Sequence, residues 1–285
     1  MKIAIASGKG GTGKTFLSTN LSAFLSETEP VVLIDLDVEE PNTGLFIKGD
    51  LIKTENVFKP VPEWDRTNCT LCGKCQSVCN FHAVLKVKDA IMVFPELCHS
   101  CYACSELCPE GSLPMKNEKI GIINHYKYKE LDHVEGKLDI GQEQAVPLIA
   151  LTNDFPASHL QKVIKICDCP PGTACPAVES VKDADLVILT AEPTPFGLHD
   201  LKLMVKSLII LKKKFAVVIN KWGVGNDDTL RYCENMNIPV IAKINNDRRI
   251  AEEYSTGNLV YDKFDFVRSE LEKIKKYITD SGALI

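Results

Sequence analysis

The sequence predicts an α/β protein with a mostly parallel sheet flanked by helices, interrupted by a smaller inserted α+β module. Three observations carry this reading: short apolar runs recur between helical stretches, a glycine-rich turn joins the first run to the first helix, and eight cysteines crowd between Cys69 and Cys108. Lys2-Ile3-Ala4-Ile5-Ala6-Ser7 reads as a strand, and residues 14–26 as a helix because Phe16, Leu17, Leu21, Phe24 and Leu25 recur at helical spacing. Val31-Val32-Leu33-Ile34-Asp35 is apolar enough for a strand buried on both faces. Similar runs predict strands at 163–167, 186–190, 215–219 and 239–242, with helices at about 197–213, 227–235, 246–254 and 265–279. Such alternation implies parallel strands with both sheet faces covered. Residues 120–151, with Gly121, Gly136 and Gly141, read as strands or a hairpin leading back to the main sheet. Pro60, Pro62 and Pro114 bracket the cysteine-rich stretch, dividing the chain into 1–59, an insert at 60–114, and 115–285.

The chain has 285 residues, 45% hydrophobic and 25% charged, which excludes a disordered or fibrous protein. A net charge of −5 argues against a whole-protein basic footprint for nucleic acid. No apolar run approaches the roughly 20 residues of a membrane span, and the first residues lack the apolar core of a signal peptide. A cytoplasmic protein with reduced or metal-bound thiols is expected.

Gly8-Lys9-Gly10-Gly11-Thr12-Gly13-Lys14-Thr15 matches G-x-x-x-x-G-K-[ST] between a predicted strand and a predicted helix. Glycines let backbone N–H groups converge on phosphate oxygens, and the helix N-terminus adds partial positive charge. Lys14 is placed to pair with the β- and γ-phosphates and Thr15 to ligate Mg²⁺. With its second lysine, Lys9, the loop resembles the deviant Walker A loop of the MinD/ParA superfamily (SIMIBI class), which includes the nitrogenase iron protein. The resemblance implies a P-loop ATPase fold and Mg²⁺-dependent ATP hydrolysis in a homodimer, with Lys9 reaching the partner's nucleotide. It makes Asp37, in Asp35-Leu36-Asp37, the switch I residue that positions or activates water, and puts Asp35 near the metal. Asp168 resembles the Walker B aspartate at the start of switch II, beside Mg²⁺, and Gly172 the sensor of the γ-phosphate. Asn220-Lys221 resembles the family's adenine-reading pair; Trp222 either stacks nearby or is a surface aromatic.

Cys69-x-x-Cys72-x-x-Cys75-x-x-x-Cys79 is followed by Cys98-x-x-Cys101-x-x-Cys104-x-x-x-Cys108-Pro109. Zinc also uses C-x-x-C pairs, but two complete C-x₂-C-x₂-C-x₃-C runs repeat bacterial ferredoxin spacing, in which the fourth thiolate ligates the other cluster. The resemblance implies a two-[4Fe-4S] ferredoxin domain. Cluster 1 would take Cys69, Cys72, Cys75 and Cys108, and cluster 2 Cys98, Cys101, Cys104 and Cys79. Asn80 stands where proline usually follows the fourth cysteine. His99 reads as a loop residue rather than a ligand.

Of the four remaining cysteines, Cys167 and Cys233 read as packing residues. Cys169 and Cys175 flank the switch II segment, where the nitrogenase iron protein shares a cluster between subunits; either they hold such a dimer-interface cluster or they are small buried thiols. Three roles follow from the resemblance: an ATP-gated electron donor, an iron–sulfur cluster carrier, or a positioning ATPase with structural or redox-sensing clusters. A redox or cluster-accepting partner protein is implied by the first two.

Overall fold

The computed structural model describes residues 1–160 and 163–283. The chain opens with β1 (Lys2–Ala6), α1 (Lys14–Leu25) and β2 (Val31–Asp35), then enters a long strand β3 (Asp50–Pro62). The cysteine-rich stretch follows, with α2 (Lys74–Val78), the hairpin β4 (Val84–Val87) and β5 (Ala90–Val93), and α3 (Ala103–Glu106). Strands β6 (Met115–Tyr128) and β7 (Leu131–Leu138) return to the sheet and lead to α4 (Ala145–His159). The last part alternates regularly: β8 (Ile164–Asp168), α5 (Cys175–Val181), β9 (Leu186–Ala191), α6 (Pro195–Ile210), β10 (Phe215–Trp222), α7 (Asp228–Asn235), β11 (Val240–Asn245), α8 (Arg248–Ser255) and α9 (Asp265–Ile278).

One sheet collects nine strands in the order β11-β10-β9-β1-β8-β2-β7-β6-β3. From β11 to β7 every pairing is parallel, whereas β6 runs antiparallel to both β7 and β3. The central strands are apolar throughout because alternate side chains enter different cores. Ala4 and Ala6 of β1 face one core with Val32 and Ile34 of β2, while Ile3, Ile5, Val31 and Leu33 face the other. On the first side lie α4, α5, α6 and α7, contributing Leu148, Val181, Met204 and Cys233. On the second, α1 and α9 bring Leu17, Leu21, Leu271 and Ile274.

Two elements differ from the sequence reading. Residues 50–59, where the sequence predicts no strand, form most of β3; this edge strand pairs on one side only, so its outer residues stay exposed and its sequence lacks the apolar run of a central strand. Residues 145–159 are helical rather than part of a hairpin; the segment's continuous apolar start, Ala145 to Leu151, shows no helical period. The β3–β6 pairing runs from Asp50↔Lys127 to Pro62↔Met115, so the cysteine-rich stretch projects from the tip of a two-stranded arm. Among the described residues, no helix is long and apolar enough to cross a membrane.

Candidate functional site

The carboxyl ends of β1, β2, β8 and β10 meet around residues 8–15, as parallel sheets place their binding crevices. Gly13 precedes α1 at φ 94°, and a Cβ there would collide with the Asn220 amide, so glycine is required on both counts. The start of α1 has neither a side-chain cap nor an acidic residue in its first turn, leaving its N–H groups for an anion. The loop's carbonyls are pinned instead: Asn220 Nδ2 donates to Thr12 O (2.9 Å) and Lys221 Nζ to Gly11 O (3.0 Å). Asn220, the expected adenine reader, therefore braces the phosphate loop with one side of its amide.

Lys14 is 7% exposed, and its ammonium donates to Ser7 Oγ at 3.0 Å. Burial lowers its pKa while Asp168 and Asp37 counter that shift. Thr15 Oγ1 donates to Asp168 Oδ2 at 2.7 Å, whereas Asp168 Oδ1 is buried with no hydrogen-bond partner. Burial, then repulsion from Asp35, raises the Asp168 carboxyl. A buried carboxylate oxygen beside a loop threonine, with nothing to satisfy it, is a setting that a hard divalent cation suits.

Asp35 does not share that setting. Its Oδ2 accepts from Asn42 N, Thr43 N and Thr43 Oγ1 (3.0, 3.0 and 2.7 Å), and its Oδ1 from Asp37 N (3.1 Å). Asp35 is thus a fully buried anchor of the loop after β2, with both carboxylate oxygens engaged by hydrogen bonds. Thr43 spends its single proton on Asp35, so His133 Nε2, 2.8 Å away, must be the donor to the Thr43 hydroxyl. His133 Nδ1 is then a buried lone pair without a partner, and burial depresses the imidazole to about 4. Asp37 lines the cleft itself; burial and then Asp35 push its carboxyl to about 6.

Lys9 pairs within its own chain, its Nζ 3.1 Å from Glu192 Oε2, and Glu192 also holds Lys221. Gly172 adopts φ 92° and donates its N–H to Ser7 O at 3.0 Å. Trp222 lies under Lys243, whose Nζ stands 4.4 Å from the ring centroid. The cleft beside the loop has a volume of about 460 Å³. Part of its wall escaped the sequence reading: Asn245 at the end of β11, Asn246 and Asp247 after it, and Ile250, Ala251 and Tyr254 on α8. The one available signal was Asn-Asn-Asp at a strand-to-helix junction, where Asp247 caps α8 by accepting from Arg249 N (2.9 Å).

The eight clustered cysteines sort into two cavities. One is lined by Cys69, Cys72, Cys75 and Cys108, the other by Cys79, Cys98, Cys101 and Cys104. All eight are free thiols. Among the described residues, no three His, Cys, Asp or Glu side chains gather as they would round a single ion. The two runs repeat one backbone path: Leu71 and Ser100 take positive φ (54° and 52°), as do the helix caps Gly73 and Tyr102 (78° and 64°). In the second run's turn Ser100 N points at Cys98 Sγ (3.4 Å), and after the run Ser112 N points at Cys108 Sγ (3.3 Å). Burial, then the neighbouring thiols Cys98, Cys79 and Cys101, pushes Cys104 up to about 11. His99 stacks on Phe81 at 3.8 Å between ring centroids, at the wall of the second cavity.

Cys169 is fully buried, as are Cys167 and Cys233, and its Sγ contacts Cys167 O at 3.7 Å. Of the two readings of its segment, Cys169 is the small buried thiol: it sits at the sheet's end, sealed in the core. Cys175 is exposed at the start of α5.

A glycine-rich loop between strand and helix, with a buried lysine and a threonine–aspartate pair, defines a P-loop nucleotide-binding protein. Residues 3–260 match the CobQ/CobB/MinD/ParA nucleotide binding domain, and the chain belongs to that family. It is 32% identical over 283 residues to an uncharacterized protein of Methanocaldococcus jannaschii, covering 98% of this chain and 97% of that one. A second uncharacterized protein of the same organism is 33% identical over 228 residues, 79% and 80% of the two chains. The fold is similar to that of the septum site-determining protein MinD with Mg-ADP from Pyrococcus horikoshii OT3 (TM-score 0.62, 16% identity, 100% and 98% coverage). It is also similar to the ATP complex of a Cyanothece McdA variant (TM-score 0.58, 15% identity, 98% and 96% coverage).

Proposed function

We propose that the protein is a dimerising, Mg²⁺-dependent ATPase whose nucleotide cycle governs electron transfer through two [4Fe-4S] clusters. The observation that supports it most is the sorting of eight thiols into two cavities, each lined by the three close cysteines of one run and the last cysteine of the other. Four thiolates round a cubane stand further apart than four round one ion, so cavities lined with sulfur suit clusters better than zinc.

Each residue then has a task. Lys14 and the N–H groups of the loop bind the β- and γ-phosphates. Thr15 and Asp168 would hold Mg²⁺, which when bound neutralises phosphate charge. Asp37, with a carboxyl near neutrality, orients water at the open side of the cleft. Lys9 would exchange Glu192 for the nucleotide of a second copy. The clusters, when bound, accept and release single electrons. The cluster-carrier reading draws less support, because burial of Cys169 leaves Cys175 as the one accessible thiol of its segment.

Anaerobic purification, iron analysis and reduction with dithionite test this. The expected result is about eight irons per chain and a change of about tenfold or more, on adding Mg-ATP, in the rate at which an acceptor dye reoxidises the clusters. Absence of iron defeats the cluster assignment, whereas full iron with no response to ATP defeats the coupling.

A further inference from the structure

Lys59 of β3 is 2% exposed, and its ammonium is buried at the root of the cysteine module. Its three donors meet three neutral oxygens: Pro95 O at 2.8 Å, Cys98 O at 3.2 Å and Gln144 Oε1 at 3.4 Å. Among the described residues no carboxylate lies within ion-pair distance of it; Glu118 and Glu96 act on it only from further away. A buried ammonium that is hydrogen-bonded but not neutralised is costly unless an anion stands nearby. The group beside it is Cys98, a wall of the second cavity. The first cavity has no such neighbour: its cations, Lys74 and Lys86, are exposed and screened by water.

Resting on the cluster reading above, we propose that Lys59 is the built-in counter-charge of the second cysteine site and sets the cluster there at the higher reduction potential of the two. A cluster with four thiolates carries about −2 when oxidised and gains one more negative charge on reduction, so a buried cation favours the reduced form. With both sites filled, one electron would pass from the first site, whose core would go from 1+ to 2+, to the second, whose core would go from 2+ to 1+, with no proton or bond changed. Gln144 ties this charge to the nucleotide-binding body. It accepts from Lys59, donates through Nε2 to Glu96 O at 3.2 Å, and immediately precedes α4.

The test is a redox titration of the holoprotein, followed by electron paramagnetic resonance, with iron counted in every sample. In Lys59→Met the higher couple is expected to fall by at least about 59 mV, a tenfold rise in its oxidised-to-reduced ratio at a fixed potential for one electron, while the lower couple stays put. Lys59→Arg, which keeps the charge, should stay near wild type. Gln144→Glu should lower the same couple by placing a carboxylate against the ammonium, and it decides the matter if Lys59→Met does not fold. Variants with full iron in which neither couple moves, or in which both move equally, overturn the proposal. Wild-type protein without iron would overturn the cluster reading, and this proposal with it.

Discussion

The nucleotide end of the sheet and the cysteine module solve the same problem, gathering polar groups at one point, by different means. At the sheet end the groups are held by protein alone: Asp35, Thr43 and His133 form a buried chain, and Asn220 and Lys221 brace the loop from β10. The surrounding strands lie between two large apolar cores. The cysteine module has little of this. Its larger apolar cluster has Cys75, Val84, Ile91, Cys104 and Leu113 as its buried members, and two of these are proposed ligands. A module with so small a core needs another source of stability. The contrast teaches that one site is organised by protein contacts alone, whereas on the proposed cluster reading the other draws its stability from what it binds.

The largest effect should come from removing metal. Chelation of iron under oxidation is expected to unfold residues 63–114 while the sheet persists, read as proteolytic cleavage confined to the module and an almost unchanged main melting transition. Simultaneous loss of both would show that the two regions do not differ in this way. Next, Lys14→Ala should lower ATP hydrolysis by about 10²–10³-fold, by analogy with removing one preorganised charge-stabilising donor, with iron content intact. Phosphate release and iron analysis on the same sample check both halves.

The buried chain behind Asp37 predicts a pH effect. His133 is held near 4 in the folded protein, against an ordinary value of 6.5, so between those values the unfolded chain binds a proton that the folded one refuses. The stability this residue contributes is complete above about 6.5 and is lost as pH falls towards 4, by about 3 kcal/mol at most. Since the raised carboxyls of Asp35 and Asp168 oppose this trend, the comparison should be with His133→Gln, whose denaturant midpoint should fall less steeply over the same range. Parallel slopes would remove His133 from the account. The smallest effect expected is that of Thr43→Val, about 1–3 kcal/mol, because it strips a buried hydrogen bond from both Asp35 and His133. Urea unfolding measures it.

Much of this was legible in the residues. Local rules sufficed for the phosphate loop and for the central strands, because a buried parallel strand must be apolar whatever its neighbours are. They missed β3 and α4, since an edge strand and an apolar helix carry no period of their own, and they left the surroundings of Asp35 and Cys169 open. A carboxylate or thiol at a strand end looks the same in sequence whether it faces the cleft or the core. Only packing decided that Asp35 anchors a loop, that Cys169 is sealed, that Lys9 rests on Glu192, and that Lys59 lies buried beside Cys98. Chemical type and spacing are written along the chain. Burial and charge pairing arise between segments far apart in it, and those determine which polar groups remain free to act.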